Sequence, residues 1–202
     1  MKIKKIAASC KAHYRAVLWD VVDGDGVMKQ WICNGSAAYP VDGLPYQRVE
    51  HLPALLSLSS KDEEKMFLDQ EQGPESIDLR DAVEKEAIAE RAEFSILHLG
   101  GELLPVRVYD ETSFIDAELL APIAAEYKDS ELWLRRSASG AVYFAVKAGL
   151  MNVGVVMPKL YNQYLVNKLT EAVECYPGDP DTPETKVEKP EDNEVEGQEE
   201  MQ

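Results

Sequence analysis

The sequence has no long apolar run, little cysteine or histidine, and few basic residues for its length. No stretch approaches the ~20 apolar residues that span a bilayer. At the N-terminus, Lys2, Lys4 and Lys5 precede Ala7-Ala8-Ser9-Cys10, a faint echo of a lipoprotein signal. The apolar segment that a signal peptide needs is missing, so a cytoplasmic protein is expected. Three cysteines, Cys10, Cys33 and Cys175, are an odd number at wide spacing without a CxxC pair. That excludes a disulfide framework and favours a reducing compartment. His13, His51 and His98 each stand without a second ligand at zinc spacing. The glycines form neither GxGxxG nor GxxxxGK[ST], which removes the common phosphate-binding loops. No serine lies in a Gly-x-Ser-x-Gly elbow.

Basic charge is scarce in total and in concentration. Lys and Arg number 21 against 37 Asp and Glu, a net charge of −16. Half of that excess lies in the last segment, Pro177 to Gln202, where ten acidic residues face Lys186 and Lys189. This segment has four prolines and no aromatic residue, so its composition predicts a disordered acidic C-terminal tail. An acidic body is not drawn to phosphate backbones. Direct nucleic-acid binding is therefore not expected, unless through a local basic patch or the inner wall of an oligomeric ring.

What remains is an ordinary globular composition, 45% hydrophobic. It is long enough to bury a core over residues 1–176. Ile3, Ile6, Ala7 and Cys10 lie on one face of a helical period over 2–11. Residues 15–22 and 27–33 read as strands around Asp23-Gly24-Asp25-Gly26, and 36–41 as a short edge strand after Asn34-Gly35. Residues 47–58 carry a short helical pattern with Pro53 in its first turn. Residues 61–67 add a helical turn, and Gly73-Pro74 marks a boundary. Residues 79–93 predict a charged helix, 94–99 and 103–109 a hairpin, and 117–127 a helix capped by Asp116 and interrupted at Pro122. The densest β-forming run, Leu132 to Pro158, predicts two strands about Ser137–Gly140 and a third interrupted by Gly149. Leu160 to Cys175 reads as a terminal helix. The fold class is α+β: antiparallel sheets of short strands with packed helices, either one domain over 1–176 or sublobes at 1–70 and 80–176.

Chemistry-bearing residues are hard to separate from this background. Asp20, Asp23 and Asp25 lack the spacing of a calcium loop and read as a turn. Cys33 reads as a small buried hydrophobe. Acidic pairs such as those among Glu102, Asp110, Glu111, Asp116, Glu118 and Glu126 arise by chance in so acidic a chain. Arg135, Arg136 and Lys147 are the one concentrated basic feature within a predicted sheet. They are candidates for a contact surface toward phosphate or an acidic partner, or for a solvated face held by carboxylates of the same chain. No catalytic, metal or cofactor-binding residues are assigned.

The runs Ile6-Ala7-Ala8-Ser9-Cys10-Lys11, Gln30-Trp31-Ile32 and Gly35-Ser36-Ala37-Ala38-Tyr39-Pro40 carry a resemblance. Ile3 to Leu44 resembles an uncharacterised family of small proteins in prophages and mobile elements of Firmicutes. That resemblance implies no catalytic residues. Val156-Met157-Pro158 is similar to the end of the last strand in DNA sliding clamps, which are acidic and built from repeated lobes. Against a clamp stand the short chain, the helix beyond Pro158 and the want of an internal repeat. The expected function is a non-enzymatic interaction or accessory protein of a phage or mobile element, with a protein partner or self-association. A clamp-like replication factor and an enzyme of unrecognised class are the alternatives.

Overall fold

The computed structural model describes residues 3–22 and 26–175. The expected disordered tail at 177–202, and Asp23 to Asp25 of the first turn, lie outside them. Strands fall into three consecutive meanders. The first is β1 (Arg15–Val22), β2 (Met28–Cys33) and β3 (Ala37–Pro40). After β4 (Phe67–Gln72), the second contains β5 (Ala87–Arg91), β6 (Ile96–His98), β7 (Gly101–Val108) and β8 (Glu111–Asp116). The third is β9 (Glu131–Arg136), β10 (Val142–Ala148) and β11 (Met151–Val156).

These strands join in one sheet that begins β4-β1-β2-β3-β11-β10-β9-β5-β7. Leu103 pairs with both Ile96 and Asp116, and Val106 with both Arg91 and Ser113. Hence β5 and β6 lie on one side of β7, as two pieces of one interrupted strand, and β8 lies on the other. Every pairing is antiparallel except β1 with β4, which runs parallel from Arg15 opposite Phe67 to Asp20 opposite Gln72. The α+β class is as the sequence predicts. The sublobes expected at 1–70 and 80–176 share this sheet through the β3–β11 pairing.

Alternation along the strands gives the sheet two buried faces. On the first, Leu18, Ile32, Tyr39, Phe144 and Val146 meet Ile6 and Cys10 of α1 (Ile3–Ala12), Leu52 of α2 (Leu52–Leu55) and Ile123 of α4 (Ala121–Ala124). Between α2 and α4 in the chain lies a single turn, α3 (Ser60–Glu63), capped by Ser59. On the second face, Val17, Trp19, Trp31, Cys33, Ala38, Tyr143 and Val155 form a separate apolar cluster. Burial on both sides explains why β1 and β10 read as nearly continuous apolar runs. Val106, Val108 and Ile115 extend the first core beneath the second meander. Leu103 and Phe114, on that meander's other side, seat α5 (Gln163–Glu174) through Leu165, Val166 and Leu169.

A bulge sets the register of β11. Val146 pairs with Gly154 and Lys147 with Asn152, leaving Val153 as the extra residue. Val153 joins the first core, while the Asn152 side chain bonds on the second face. A methyl at Gly154 would overlap Ile123 Cδ1, so glycine allows α4 to sit directly on β11.

Three expectations differ from the structure. Residues 79–93 form no helix: they run as irregular chain to Glu86 and then as β5, because Leu79 packs on the second face and the next apolar contacts, Ala87 and Ala89, come at strand spacing and not on one helical stripe. The strand after Asn34-Gly35 is interior, paired with both β2 and β11, and all four of its residues are buried. The helical turn near residue 61 is followed by a strand, β4, with no counterpart in the prediction. The helix over 117–127 is split near Pro122 as the sequence predicts, into a 3-10 turn, Ala117–Leu120, and α4, with Pro122 at the start of the latter. Its predicted cap holds: the Asp116 carboxylate accepts the Glu118 N–H at 3.2 Å. No helix among the described residues is long and apolar enough to cross a membrane.

Candidate functional site

The second face carries the unusual chemistry. It is covered by a strap of irregular chain, residues 73–86, that leaves the end of β4 and crosses β1, β11 and β10. Its entry is fixed by the Gly73 N–H, which donates to the Asp20 carbonyl at 2.9 Å. Ile77 and Leu79 pack into the apolar cluster. A strap without regular structure has backbone groups that no ladder satisfies, and side chains of the sheet supply the partners. The Asp78 N–H donates to the Tyr143 hydroxyl at 2.9 Å. Asn152 Nδ2 donates to the Leu79 carbonyl at 3.0 Å, and the Asn152 N–H donates to Asp81 Oδ1 at 2.8 Å. Arg135 donates to the carbonyls of Asp78, Arg80 and Asp81 at 2.9, 2.8 and 3.3 Å.

Glu86 closes the strap. Its Oε2 accepts from Arg135 Nε and Nη2 at 2.8 and 2.7 Å, and its Oε1 accepts from Lys147 Nζ. The Lys147 ammonium also sits 4.5 Å from the Trp133 ring centroid. Burial pushes the Glu86 carboxyl upward, but the bonds from Lys147 and Arg135 outweigh it and hold the group below its usual value. Arg135 and Lys147 are only 1% and 6% exposed. Arg136 points the other way, into solvent, 3.5 Å from Glu111. Of the three candidate contact residues, the structure thus brings two together beneath the strap and leaves Arg136 apart from them, at the surface beside Glu111.

A second polar cluster lies beside the strap entry. Asp20 accepts from Gln30 Nε2, the Tyr46 hydroxyl and Gln70 Nε2 at 2.7, 2.7 and 2.8 Å. Burial raises its carboxyl, and these three bonds together bring it below the ordinary value. Gln30 and Gln47 exchange two further bonds, so the loop after β3 is tied to β2 and β4.

The remaining candidates do not converge. His13 lies against the Ser9 carbonyl, His51 accepts the Arg48 N–H, and His98 packs edge-on against Tyr161. Burial pushes the Cys10 and Cys33 thiols up to about 12 and about 11, which keeps both protonated near neutrality. Among the described residues, no group of three or more His, Cys, Asp or Glu side chains could hold a metal ion.

Cavities flank the strap. One of about 650 Å³ is lined by Asp20, Lys29, Trp31, Glu75 and Asp81. Another of about 640 Å³ is lined by Lys85, Tyr109, Leu134 and Arg136, and Asp78 and Arg80 border both. A third, of about 250 Å³, lies by Cys33. The strap, Glu86 and Asn152 are absent from the sequence reading. A signal for Glu86 existed in principle, because cations inside apolar strands need a buried counter-charge. Comparison of the chain with protein-family models, with curated proteins and with solved structures gave no match.

Proposed function

We propose that this chain is a non-enzymatic interaction or accessory protein, in the phage or mobile-element setting implied by its N-terminal resemblance. The observation that carries this reading is the direction in which its buried polar groups point. Glu86, Arg135 and Lys147 bond to one another and to strap carbonyls, and Asp20 bonds to Gln30, Tyr46 and Gln70. These groups hold loops in place: Asp20 and Glu86 border cavities, but their carboxylates are taken up by donors of the protein itself and no nucleophile stands beside them. Apolar side chains stand in solvent at the tip of the β6–β7 hairpin and in the chain entering α5. Leu97, Leu99, Leu160 and Tyr164 are 82%, 92%, 92% and 73% exposed, and the His98–Tyr161 contact joins the two segments. Such a grouping suits a protein partner or a second copy of the chain.

The test is site-specific crosslinking. A photoreactive side chain at position 99, in cells expressing the protein, captures one discrete product, whereas the same group at position 65 or 128 does not. The double variant Leu97→Asp, Leu99→Asp keeps its melting temperature and loses that product. Self-association gives a product of twice the chain's mass. Equal labelling from all three positions, or turnover of a substrate dependent on Asp20 or Glu86, sinks the reading.

A further inference from the structure

The smallest of the three cavities, about 250 Å³, differs in chemistry from the other two. Trp19, Ala38, Val155 and Met157 line it, with Ile77 of the strap beside them. Small residues create the space. The chain turns from β2 to β3 through Gly35, Ser36, Ala37 and Ala38, and no long side chain from this segment enters the gap. Gly35 adopts a φ of +92°, and a β-carbon there would lie 3.4 Å from Arg15 Cδ. The Arg15 side chain therefore runs across the turn, with its guanidinium 5.0 Å from the Phe67 ring centroid.

Arg15 is exposed at the edge of this cavity and, among the described residues, makes no ion pair. Asp69, opposite Val17 on β4, accepts the Gln70 N–H instead. Glu71 accepts the Trp19 indole N–H at 3.0 Å. Burial raises the Cys33 thiol most; the Gly35 N–H and the Arg15 charge lower it, and the Glu71 carboxylate raises it again. An apolar recess with one uncompensated guanidinium at its edge matches a ligand with a hydrocarbon body and one anionic end.

We propose that this cavity binds a small apolar monocarboxylate, an aromatic or branched aliphatic acid. Its hydrocarbon body lies against Trp19 and Met157, and its carboxylate pairs with Arg15. The volume excludes nucleotides and other large ligands, and an amine in the same position would meet the guanidinium with like charge.

The experiment titrates benzoate, phenylacetate and isovalerate into the full chain at neutral pH, with benzamide and benzylamine as neutral and cationic controls. Binding is read by calorimetry and by the Trp19 indole and Met157 methyl resonances, assigned with Trp19→Phe and Met157→Leu. At least one acid shifts both resonances, and benzamide binds about tenfold more weakly or worse, as expected for loss of one charge-assisted pair. Arg15→Gln lies at an exposed position and leaves the fold intact. It brings the affinity for the acid down to that for benzamide. Ser36→Leu, which fills the recess, abolishes binding while the Trp31 indole resonance stays in place. The proposal is overturned if none of the three acids moves the Trp19 and Met157 signals at millimolar concentration. It is equally overturned if benzylamine binds as well as benzoate, or if Arg15→Gln leaves the preference for the acid unchanged.

Discussion

The two faces of the sheet are made by neighbouring residues of the same strands and are held by different physics. Leu18 and Trp19, Ile32 and Trp31, Phe144 and Tyr143 each send one side chain to either side. On the first face the cover is helical. Helices satisfy much of their own backbone, so the contact is mostly apolar and non-directional, with the Tyr39 hydroxyl donating to the Leu119 carbonyl at 2.8 Å as a buried exception. On the second face the cover is an irregular strap whose carbonyls at Asp78, Leu79, Arg80 and Asp81 depend on donors from the sheet. Buried Arg135 and Asn152 on that face are therefore a consequence of the cover. The first face should tolerate apolar exchange, and the second should fail when single polar groups are lost.

The sharpest way to break this comparison is Arg135→Met. The methionine keeps most of the apolar stem but removes the guanidinium that donates to three carbonyls and to Glu86, leaving Glu86 with Lys147 alone. Glu86 stays neutralised by Lys147, but the strap carbonyls that lose their donor cost about 1–3 kcal/mol each, and urea unfolding should show a loss of about 3–5 kcal/mol. Hydrogen exchange should place the damage: amides of 75–86 lose protection first, while those of β1 and β2 follow global unfolding. Phe144→Leu, one strand away on the other face, should lower protection everywhere in step. If both variants weaken the strap and the core alike, the two faces are one cooperative unit and the distinction fails.

Much of the first face is legible in the sequence, because apolar side chains in regular strands and helices leave a periodic trace. Residues 15–22 and Leu132 to Pro158 stand out since both of their faces are buried. β4 is nearly silent: Phe67-Leu68-Asp69-Gln70-Glu71-Gln72 has a weak pattern, and its parallel partner begins 52 positions earlier. The second face is half-written. Arg135 and Lys147 are visible as cations among strand residues, but their shared carboxylate, Glu86, lies 49 and 61 positions away among many acids of the same kind. Asn152 is aimed at the strap by a bulge, and nothing in Met151-Asn152-Val153-Gly154 announces where the extra residue falls. The strap has no period at all, so its course is set by tertiary contacts.

A milder and reversible test uses acid. The folded Glu86 carboxyl lies below its unfolded value of about 4.3, as do those of Asp20 and, through Arg80, Asp78. A depressed carboxyl adds stability that is complete above the unfolded pKa and lost as pH falls through the folded one. All three groups sit in the strap or beside its anchors. Below about pH 4 the emission of Trp19 and Trp31 should therefore report strap loosening, before circular dichroism reports loss of helices and strands. Glu86→Gln should be less stable at neutral pH and should show a shallower acid dependence. Coincident transitions in fluorescence and circular dichroism, in both proteins, would show that the strap does not respond separately.

The smallest expected effect is the most discriminating. Tyr143→Phe keeps the ring in the apolar cluster and removes only the oxygen that accepts the Asp78 N–H. The loss should be about 1 kcal/mol, the usual scale for one buried hydrogen bond. Its couplings matter more than its size. Tyr143 and Phe144 are adjacent in the chain but face opposite covers, so Tyr143→Phe and Phe144→Leu should be additive in a double-mutant cycle. Tyr143 and Asn152 lie on different strands but hold the same strap, through Asp78 and through Leu79 and Asp81. Tyr143→Phe and Asn152→Ala should therefore show a coupling of about 0.5 kcal/mol or more, because once either anchor is gone the strap segment is already loosened. If chain neighbours couple and the strap anchors do not, the second face is held by its own strands and the strap is an ornament upon it.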